Sequence, residues 1–417
     1  VGHSMGCRVV LDAASRRPDL VSAVAFVEGS RTASGDEAAA LKAARSAVDR
    51  VGYGAFVRGM FEGMFFGNAD ASIRDHTLER AATLDRLAGQ GVLFSRATAV
   101  TPVTLPSHAT ILTGLYPRRH GVRSNGFYTL ADEHVSLAEV LQDAGYETGA
   151  VLAAFVLGER YGLAQGFDHY DDDLQATDKN DPLLYAERTA DQVTDRALAW
   201  LADRTEQAEK NFLLWVHYFD PHSPYQAPSP HKERHVGRPY DAEVAFVDVE
   251  MGRLLTGLAR LGLDDDTIVV VIGDHGESLG EHDEPTHGYL LYEGTMSVPF
   301  VMACGDKLGG GVERTDRVSQ VDVMPTVLAL LGLEAPPVVD GVDLQAVAGA
   351  PRAVFGETYQ GKMEHGWAPL HSVYQGDTKY VYGPHPEMYD LAKDAQEENS
   401  VYLEQLERAA ELHTQLT

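Results

Sequence analysis

The sequence predicts an α/β fold in which a central sheet is sandwiched between helices and is followed by a small antiparallel subdomain. Segments with helical spacing of apolar residues alternate with short apolar runs from about residue 77 to residue 331. The runs, such as 212–218 and 267–272, are apolar on both faces, which is typical of strands covered by helices on both sides. Residues 372–391 instead form short alternating segments with a turn at Gly383-Pro384, which predicts a small antiparallel sheet.

The elements of the central part follow one another as strand and helix. Apolar residues at helical spacing predict most of the helices, and Pro106 with Ser107 marks the start of one of them. The predicted helices are 77–90, 107–113, 136–144, 185–206, 240–261 and 322–331, and the predicted strands are 92–94, 147–153, 212–218, 267–272 and 298–303.

Composition and charge exclude several classes of protein. The net charge of −28 argues against binding to nucleic acid or to an anionic membrane surface. No run of about 18 apolar residues occurs, so the sequence predicts no membrane span. The two cysteines, Cys7 and Cys304, do not lie in a C-x-x-C pair, so neither a disulfide framework nor a cysteine-bound zinc ion is expected. An anionic ester would need local positive charge in its site, for which bound metal ions are a source.

The chain opens with a second, unrelated pattern. It begins at Val1 inside an apolar segment, so we expect it to be truncated, and we make no prediction of localisation. Residues 2–6 read G-x-S-x-G, the tight strand-to-helix turn that exposes a nucleophilic serine, here Ser4. Residues 1–77 resemble the part of an α/β-hydrolase that runs from this turn into the cap. A serine esterase using Ser4 is therefore an alternative function, although the family's early strands and its histidine base lack counterparts here.

The segment around Thr104 has the features of an anion site. Pro106 and Ser107 predict that Thr104 lies just before a helix N-terminus, where free N–H groups and the helix dipole favour an anion. A hydroxyl in that position becomes an alkoxide when a metal ion binds it.

Residues 104–122 resemble the sulfatase signature, which reads C-x-P-S-R followed by a short helix and T-G. They resemble still more closely the nucleotide pyrophosphatase/phosphodiesterase branch of the alkaline-phosphatase superfamily, which has threonine followed by x-P-N/S-H. The resemblance implies that Thr104 is the nucleophile and that His108 replaces the arginine. Formylglycine cannot form at a threonine, so phosphate esters become plausible substrates beside sulfate esters. Asn125 matches a donor to the transferring group, or is simply a turn residue.

Three further clusters qualify as metal ligands, each at the end of a predicted strand or in the loop beyond it. The resemblance implies that Asp274 and His275 hold one ion beside Thr104, and that Asp220, His222 and His287 hold a second. Two ions about 4 Å apart can activate the nucleophile and stabilise the leaving oxygen. Asp and His ligands suit Zn²⁺ or Mn²⁺, whereas an Asp-rich site with one ion would suit Ca²⁺. His217, Glu281 and His282 are close enough in sequence to support these ligands, and His217 equally suits the core.

The same resemblance implies an aspartate ahead of Thr104 that reaches the nucleophile-side ion. Asp70 has the matching spacing, but the residues before it form a poor strand. A fusion that replaced the first strand would leave a catalytically impaired chimera, which is a third reading. Residues 377–391 also resemble the sulfatase C-terminal subdomain. We therefore predict domains at 1–77, 78–345 and 346–417, acting on a small-molecule, glycan or lipid sulfate or phosphate ester; the oligomeric state is not predicted.

Overall fold

The computed structural model describes residues 82–174, 187–204, 210–305, 308–347, 349 and 352–416. The chain divides into two compact units, Val1–Ala82 and Thr83–Thr417. Ser4 and Asp70 therefore lie outside the described residues, as does the fragment predicted to resemble an α/β-hydrolase. The predicted domain boundaries at 77/78 and 345/346 stay predictions.

Helices and strands alternate through most of the second unit. The helices are α1 (Ala82–Gln90), α2 (Thr104–Thr113), α3 (Pro117–His120), α4 (Leu137–Asp143), α5 (Ala190–Asp203), α6 (His231–Arg234), α7 (Pro239–Arg260), α8 (Glu293–Met296), α9 (Val323–Leu330), α10 (Gln360–His365) and α11 (Leu406–Leu416). The strands are β1 (Val92–Phe94), β2 (Ala97–Thr98), β3 (Glu147–Val151), β4 (His169–Asp171), β5 (Phe212–Val216), β6 (Val269–Ile272), β7 (Ser297–Val298), β8 (Phe300–Ala303), β9 (Val312–Arg314), β10 (Val318–Ser319), β11 (Ala353–Thr358), β12 (Leu370–Gln375), β13 (Thr378–Tyr382) and β14 (Glu387–Asp390).

The strands before residue 320 form three hydrogen-bonded groups, ordered β6-β8-β1-β9, β10-β2-β7 and β4-β3-β5. β3 pairs in parallel with both β4 and β5, whereas β8 is antiparallel to β1 and β6. The strands β11 to β14 form a separate meander in which each pair is antiparallel. The predicted α/β class and the small C-terminal antiparallel sheet are therefore confirmed.

Helices cover both faces of the sheet that carries β3. On one face Val151 packs against Val193 and Ala197 of α5. On the other face Ala150 and Leu152 pack with Leu105 and Ala109 of α2, so burial of alternate residues of one strand fixes helix α2 on the sheet. The same alternation holds in β8, where one set of side chains meets α1 and the other meets α4 and α9. No helix in the described ranges is long and apolar enough to cross a membrane.

Two predicted boundaries are wrong for local reasons. Helix α2 begins at Thr104 rather than at residue 107, because Pro106 falls within the first turn, where its missing N–H would have no intrahelical partner. The strand predicted at 298–303 is interrupted at Pro299 and forms β7 and β8. Proline has no N–H to donate to a neighbouring strand, so the ladder breaks there.

Candidate functional site

Thr104 is the first residue of α2 and follows Val103, whose backbone is extended. Its side chain is buried, and its Oγ1 lies 3.3 Å from Nε2 of His275. His275 follows strand β6, so the packing of α2 and β6 within the same unit brings the two predicted residues together. The structure thus places Thr104 next to the loop that carries Asp274 and His275.

The hydrogen bond at the other ring nitrogen fixes the tautomer of His275. Nδ1 lies 2.8 Å from the backbone oxygen of Gly276, which can only accept, so Nδ1 carries the proton. Burial lowers the pKa of His275, so the ring is neutral near pH 7. Nε2 therefore presents a lone pair to Thr104, and the threonine hydroxyl is the donor.

His222 and His287 have the same arrangement as His275. Nδ1 of His222 lies 2.7 Å from the backbone oxygen of Ser223, and Nδ1 of His287 lies 2.9 Å from Oε1 of Glu277. The ring of His287 is 4.2 Å from that of His275 and 5.4 Å from that of His222, centre to centre. An oxygen acceptor behind each Nδ1 that leaves Nε2 free is the usual support of a metal-bound histidine.

The pKa values of His222 and His287 are shifted in opposite directions. Burial lowers the pKa of His222 to about 4. Burial also acts to lower the pKa of His287, but the hydrogen bond and the charge of Glu277 outweigh it and raise that pKa. Glu277 thus belongs to the candidate site and was missed by sequence reasoning, although it lies in the same run as Asp274 and His275.

Asp274 provides the negative charge of the site. Its Oδ2 lies 3.4 Å from Nε2 of His275 and 3.8 Å from Nδ1 of His108. Burial alone would raise the pKa of Asp274, but His275, His108 and His217 lower it to about 2. The carboxylate is therefore ionised near pH 7.

His108 and His217 lie beside Asp274 in the interior. Nδ1 of His108 is 2.9 Å from the backbone oxygen of Thr104, which ties this ring to the first turn of α2. The ring of His217 meets that of His108 edge-on at 4.9 Å, and its Nδ1 accepts from the backbone N–H of Ala153 at 3.4 Å. Burial lowers the pKa of His217 to about 3, so it is a neutral core histidine that borders the site.

The glycine after His275 is required by close packing. A Cβ on Gly276 would lie 2.3 Å from the backbone oxygen of Gly294, and the backbone N–H of Gly276 donates to Thr295 at 2.7 Å. The loop that carries Asp274 and His275 is thus held directly against the helix α8, which accounts for Asp-His-Gly in this place.

Asn125 has a contact that differs from the one expected. Its Oδ1 accepts the backbone N–H of Leu105 at 2.8 Å, so the amide caps the first turn of α2. With Oδ1 held there, the two hydrogens on Nδ2 are the part of the side chain available to a substrate oxygen. The next residue back, Ser124, donates to Oε1 of Gln360 at 3.0 Å.

Three residues considered from the sequence have contacts elsewhere. Asp220 interacts with the backbone of Ala190 and with the charges of Glu187 and Asp191, and its Oδ2 has no hydrogen-bond partner in the described part of the chain. Burial raises its pKa to about 6. The backbone N–H of Leu279 donates to Glu281, and His282 contacts the backbone oxygen of Gln396. Asp220 and His282 thus contact neighbouring loops, and the role of Asp220 as a metal ligand stays a prediction.

Gln320 joins the two halves of the site and was also missed. Its Oε1 accepts the N–H of Val100 at 3.0 Å and lies 2.9 Å from Oγ of Ser107, while Nε2 donates to the backbone oxygens of Gly273 and Asp274 at 2.8 and 2.6 Å. Its side chain is fully buried. The signal for it was a glutamine among the valines at residues 318, 321 and 323 that lead into α9, since a buried amide must have partners.

The fit to a metal ion is one of donor chemistry. In the described ranges no group of three or more His, Cys, Asp or Glu side chains surrounds one point as a metal site requires. The individual donors nevertheless suit a divalent ion, because three neutral or Glu-supported imidazoles with free Nε2 atoms lie near one ionised carboxylate. Asp70, the further ligand expected, lies outside the described residues.

Comparisons with known proteins find relatives along most of the chain. The model of the sulfatase family matches residues 60–333. A second family model, for the C-terminal part of N-sulphoglucosamine sulphohydrolase, matches residues 280–417. The ulvan-active sulfatase of Formosa agariphila is 28% identical over 311 residues, which cover 64% of this chain and 60% of that protein. The chain therefore spans less than two thirds of that relative.

Solved structures share the fold. A protein in complex with its substrate D-glucosamine-2-N,6-O-disulfate has a TM-score of 0.65 at 21% identity, with 81% of this chain and 91% of that chain covered. The phosphonate monoester hydrolase of Agrobacterium radiobacter has a TM-score of 0.68 at 21% identity, with 81% and 90% covered.

Proposed function

This chain belongs to the sulfatase family, and from that premise we propose that it hydrolyses sulfate or phosphate esters by attack of Thr104 on the sulfur or phosphorus atom. The observation that carries the proposal is the buried Thr104 hydroxyl at the N-terminus of α2, 3.3 Å from the free Nε2 of His275. A serine esterase that uses Ser4 is the alternative, and the experiment below separates the two.

The described side chains can be given roles in such a reaction. Thr104 gives up its hydroxyl proton to water, and its Oγ1 bonds to the sulfur or phosphorus while the bond to the ester oxygen breaks in line with the attack. The leaving alkoxide takes up a proton and departs as the alcohol. Water then attacks the threonyl ester, releases sulfate or phosphate and restores the hydroxyl. Nδ2 of Asn125 and the positive end of the α2 helix dipole would stabilise negative charge on the other oxygens.

Asp274, His275, His222 and His287 are the described residues that would hold a divalent ion, with Asp70 and Asp220 as further predicted ligands. When bound, such an ion supplies positive charge that polarises the ester and favours the ionised threonine. We propose Zn²⁺ or Mn²⁺, in one or two sites, because imidazole and carboxylate ligands suit these ions, with Ca²⁺ as the alternative for a single site. The net charge of −28 makes this local positive charge necessary for an anionic substrate.

Two considerations favour different ester classes. The family and its ulvan-active relative favour sulfate esters. Threonine at residue 104 favours phosphate esters, because formylglycine requires a cysteine or serine there. We therefore propose both classes and leave their ranking to the assay.

The experiment measures bound metal by elemental analysis and the hydrolysis of p-nitrophenyl sulfate, p-nitrophenyl phosphate and bis-p-nitrophenyl phosphate. We expect turnover that a chelator abolishes and that Zn²⁺, Mn²⁺ or Ca²⁺ restores. Thr104→Ala should lower kcat by ~10³-fold or more, as removal of a covalent nucleophile does. Ser4→Ala, the matched control, should leave turnover unchanged. Turnover that resists the chelator and is lost in Ser4→Ala would instead establish the serine esterase.

A further inference from the structure

Three aromatic side chains form an exposed patch, here called the aromatic rim: Tyr289, His365 and Trp367. The rings of His365 and Trp367 are 4.7 Å apart, those of Tyr289 and His365 are 5.6 Å apart, and those of Tyr289 and Trp367 are 6.0 Å apart. Trp367 is 58% exposed. An indole that leaves more than half its surface in water is a candidate contact for a ligand.

The aromatic rim is continuous with the candidate site. Tyr289 is separated from His287 by Gly288 alone, and the backbone oxygen of Gly288 accepts from Thr358 just before α10. A Cβ on Gly288 would lie 3.4 Å from the side chain of Gln360, the first residue of α10. Gln360 also accepts from Ser124, the neighbour of Asn125. The rim therefore borders the site on the side of His287 and Asn125.

Local contacts hold the rim in place before any ligand binds. The backbone N–H of Trp367 donates to the oxygen of Gly361 at 3.1 Å. A Cβ on Gly361 would lie 2.9 Å from the indole ring, so the absence of a side chain lets the ring rest on α10. The hydroxyl of Tyr289 donates to Glu364, and Nε2 of Gln360 donates to the same carboxylate at 2.5 Å. A preorganised surface of this kind loses little entropy when it binds a ligand.

We propose that the aromatic rim is a subsite for the sugar ring of the ester, the part of the substrate that leaves as the alcohol. A pyranose ring has C–H groups on its faces, which pack on an aromatic plane, and hydroxyl groups at its edge, which require polar neighbours. The rim supplies both, because Trp367 offers the plane and Glu364 with Lys362 offers the polar neighbours on α10. The exposed charged side chains of Glu364 and Lys362 on the same helix suit a saccharide better than a long acyl chain.

This inference rests on the proposed function of Thr104, since that function defines which part of the ester leaves. The test therefore measures binding separately from turnover. Isothermal titration calorimetry with N-acetylglucosamine 6-sulfate and 6-phosphate is performed on the metal-loaded full chain carrying Thr104→Ala. In that background we expect Trp367→Ala to weaken binding by ~10-fold or more, the loss expected for one aromatic contact of about 1.5 kcal/mol.

Two variants and one ligand serve as controls. Trp367→Phe should restore most of the affinity, and Tyr382→Ala, which removes an exposed aromatic ring from β13, should leave it unchanged. Unchanged affinity in Trp367→Ala would overturn the sugar subsite. Tighter binding of decyl sulfate than of either sugar ester, lost in Trp367→Ala, would overturn it in favour of an acyl chain. If Thr104→Ala retained turnover, the proposed nucleophile would fail while the binding result still decided the role of the rim.

Discussion

The cluster around Thr104 and the cluster around Lys379 are both buried, yet they differ in how their charged groups are paired. Nζ of Lys379, which is fully buried, lies 2.6 Å from Oε1 of Glu397 and 3.2 Å from Oε1 of Glu293, and the hydroxyl of Tyr374 donates to Glu293 at 2.9 Å. Burial acts to raise the pKa of Glu293, but Lys379 and Arg317 outweigh it and lower that pKa. Each charge in this cluster faces an opposite charge.

The Thr104 cluster is organised in the opposite way. Each of His222, His275 and His287 uses Nδ1 for a hydrogen bond to a protein oxygen. Nε2 of each ring therefore stays available to bind a metal ion. Asp274 is ionised but has no lysine or arginine among the groups that lower its pKa. The comparison teaches that burial alone does not identify a site, whereas bonding capacity left unused by the protein does.

The strongest test of this difference is Asp274→Asn. Turnover should fall by ~10³-fold or more, because the substitution removes the carboxylate that lies next to Nε2 of His275 and the ring of His108. The free energy of unfolding without metal should change by less than ~1 kcal/mol, because the amide retains the bond to the N–H of His275. Steady-state kinetics and urea unfolding measure the two quantities. A large loss of stability with normal turnover would reverse the roles assigned to the two clusters.

The complementary change is Lys379→Met. It leaves the buried carboxylates of Glu293 and Glu397 without their cation, so the free energy of unfolding should fall by ~3–5 kcal/mol. The kcat of the folded fraction should be unchanged, since Lys379 does not contact the site. Lys393→Met is the matched control, because Lys393 pairs with Asp390 at the surface and its removal should have no measurable effect. Equal stability of the two variants would show that the Lys379 cluster is not a structural one.

Gln320→Ala sharpens the comparison. Gln320 has hydrogen bonds at both of its side-chain polar atoms, and these bonds hold the loop of the candidate site in place. The substitution removes the bonds to Val100, Gly273 and Asp274 and frees the loop that carries Asp274 and His275. We expect kcat to fall by ~10²-fold with little change in KM, as expected when a catalytic geometry is loosened. Gln320→Glu should restore the acceptor to Val100 but not the donors, and so should remain impaired. A loss confined to stability, with normal kcat, would argue against this positioning role.

The smallest expected effect concerns pH and His120. This buried histidine uses both nitrogens: Nε2 lies 3.0 Å from Oγ1 of Thr110, and Nδ1 accepts the N–H of Val122 at 3.2 Å. Burial lowers its pKa from 6.5 to about 3. Between these values the unfolded chain binds a proton that the folded chain does not, so stability falls as the pH falls below 6.5.

From those two values we expect His120 to make the protein about 2 kcal/mol less stable at pH 5 than at pH 7.5. Urea unfolding at both pH values measures this difference. His120→Gln should remove that part of the pH dependence while lowering stability at pH 7.5. An unchanged slope in the variant would show that other groups dominate the acid response.

The sequence was sufficient for the parts of the site that follow strands directly. Asp274 and His275 follow β6, as the strand signal predicted, and the resemblance to the sulfatase family implied that they lie beside Thr104, which begins α2. Asp220 also follows a strand, but the path of the loop beyond β5 decides where its carboxyl points, and that path depends on contacts with Ala190. Periodicity carries no information on such contacts between distant parts of the chain.

Gln320 and Glu277 were missed for a related reason. Their importance lies in partners distant in sequence, such as Val100 for Gln320 and His287 for Glu277. The order of strands within the sheets could not be predicted either, because a short apolar run carries no information on which strand pairs with it. The break at Pro299 is a different case. The missing N–H of proline is visible in the sequence, but the predicted strand 298–303 did not take it into account.

The position of Lys379 limits how this protein can be recombined with its relatives. Lys379 belongs to β13 of the C-terminal sheet, whereas its partner Glu293 belongs to α8, next to the loop of Asp274 and His275. A chimera that takes its C-terminal sheet from another family member must therefore bring a lysine at the same register, or place a lone carboxylate in the interior. The C-terminal sheet and α8 therefore have to be exchanged together.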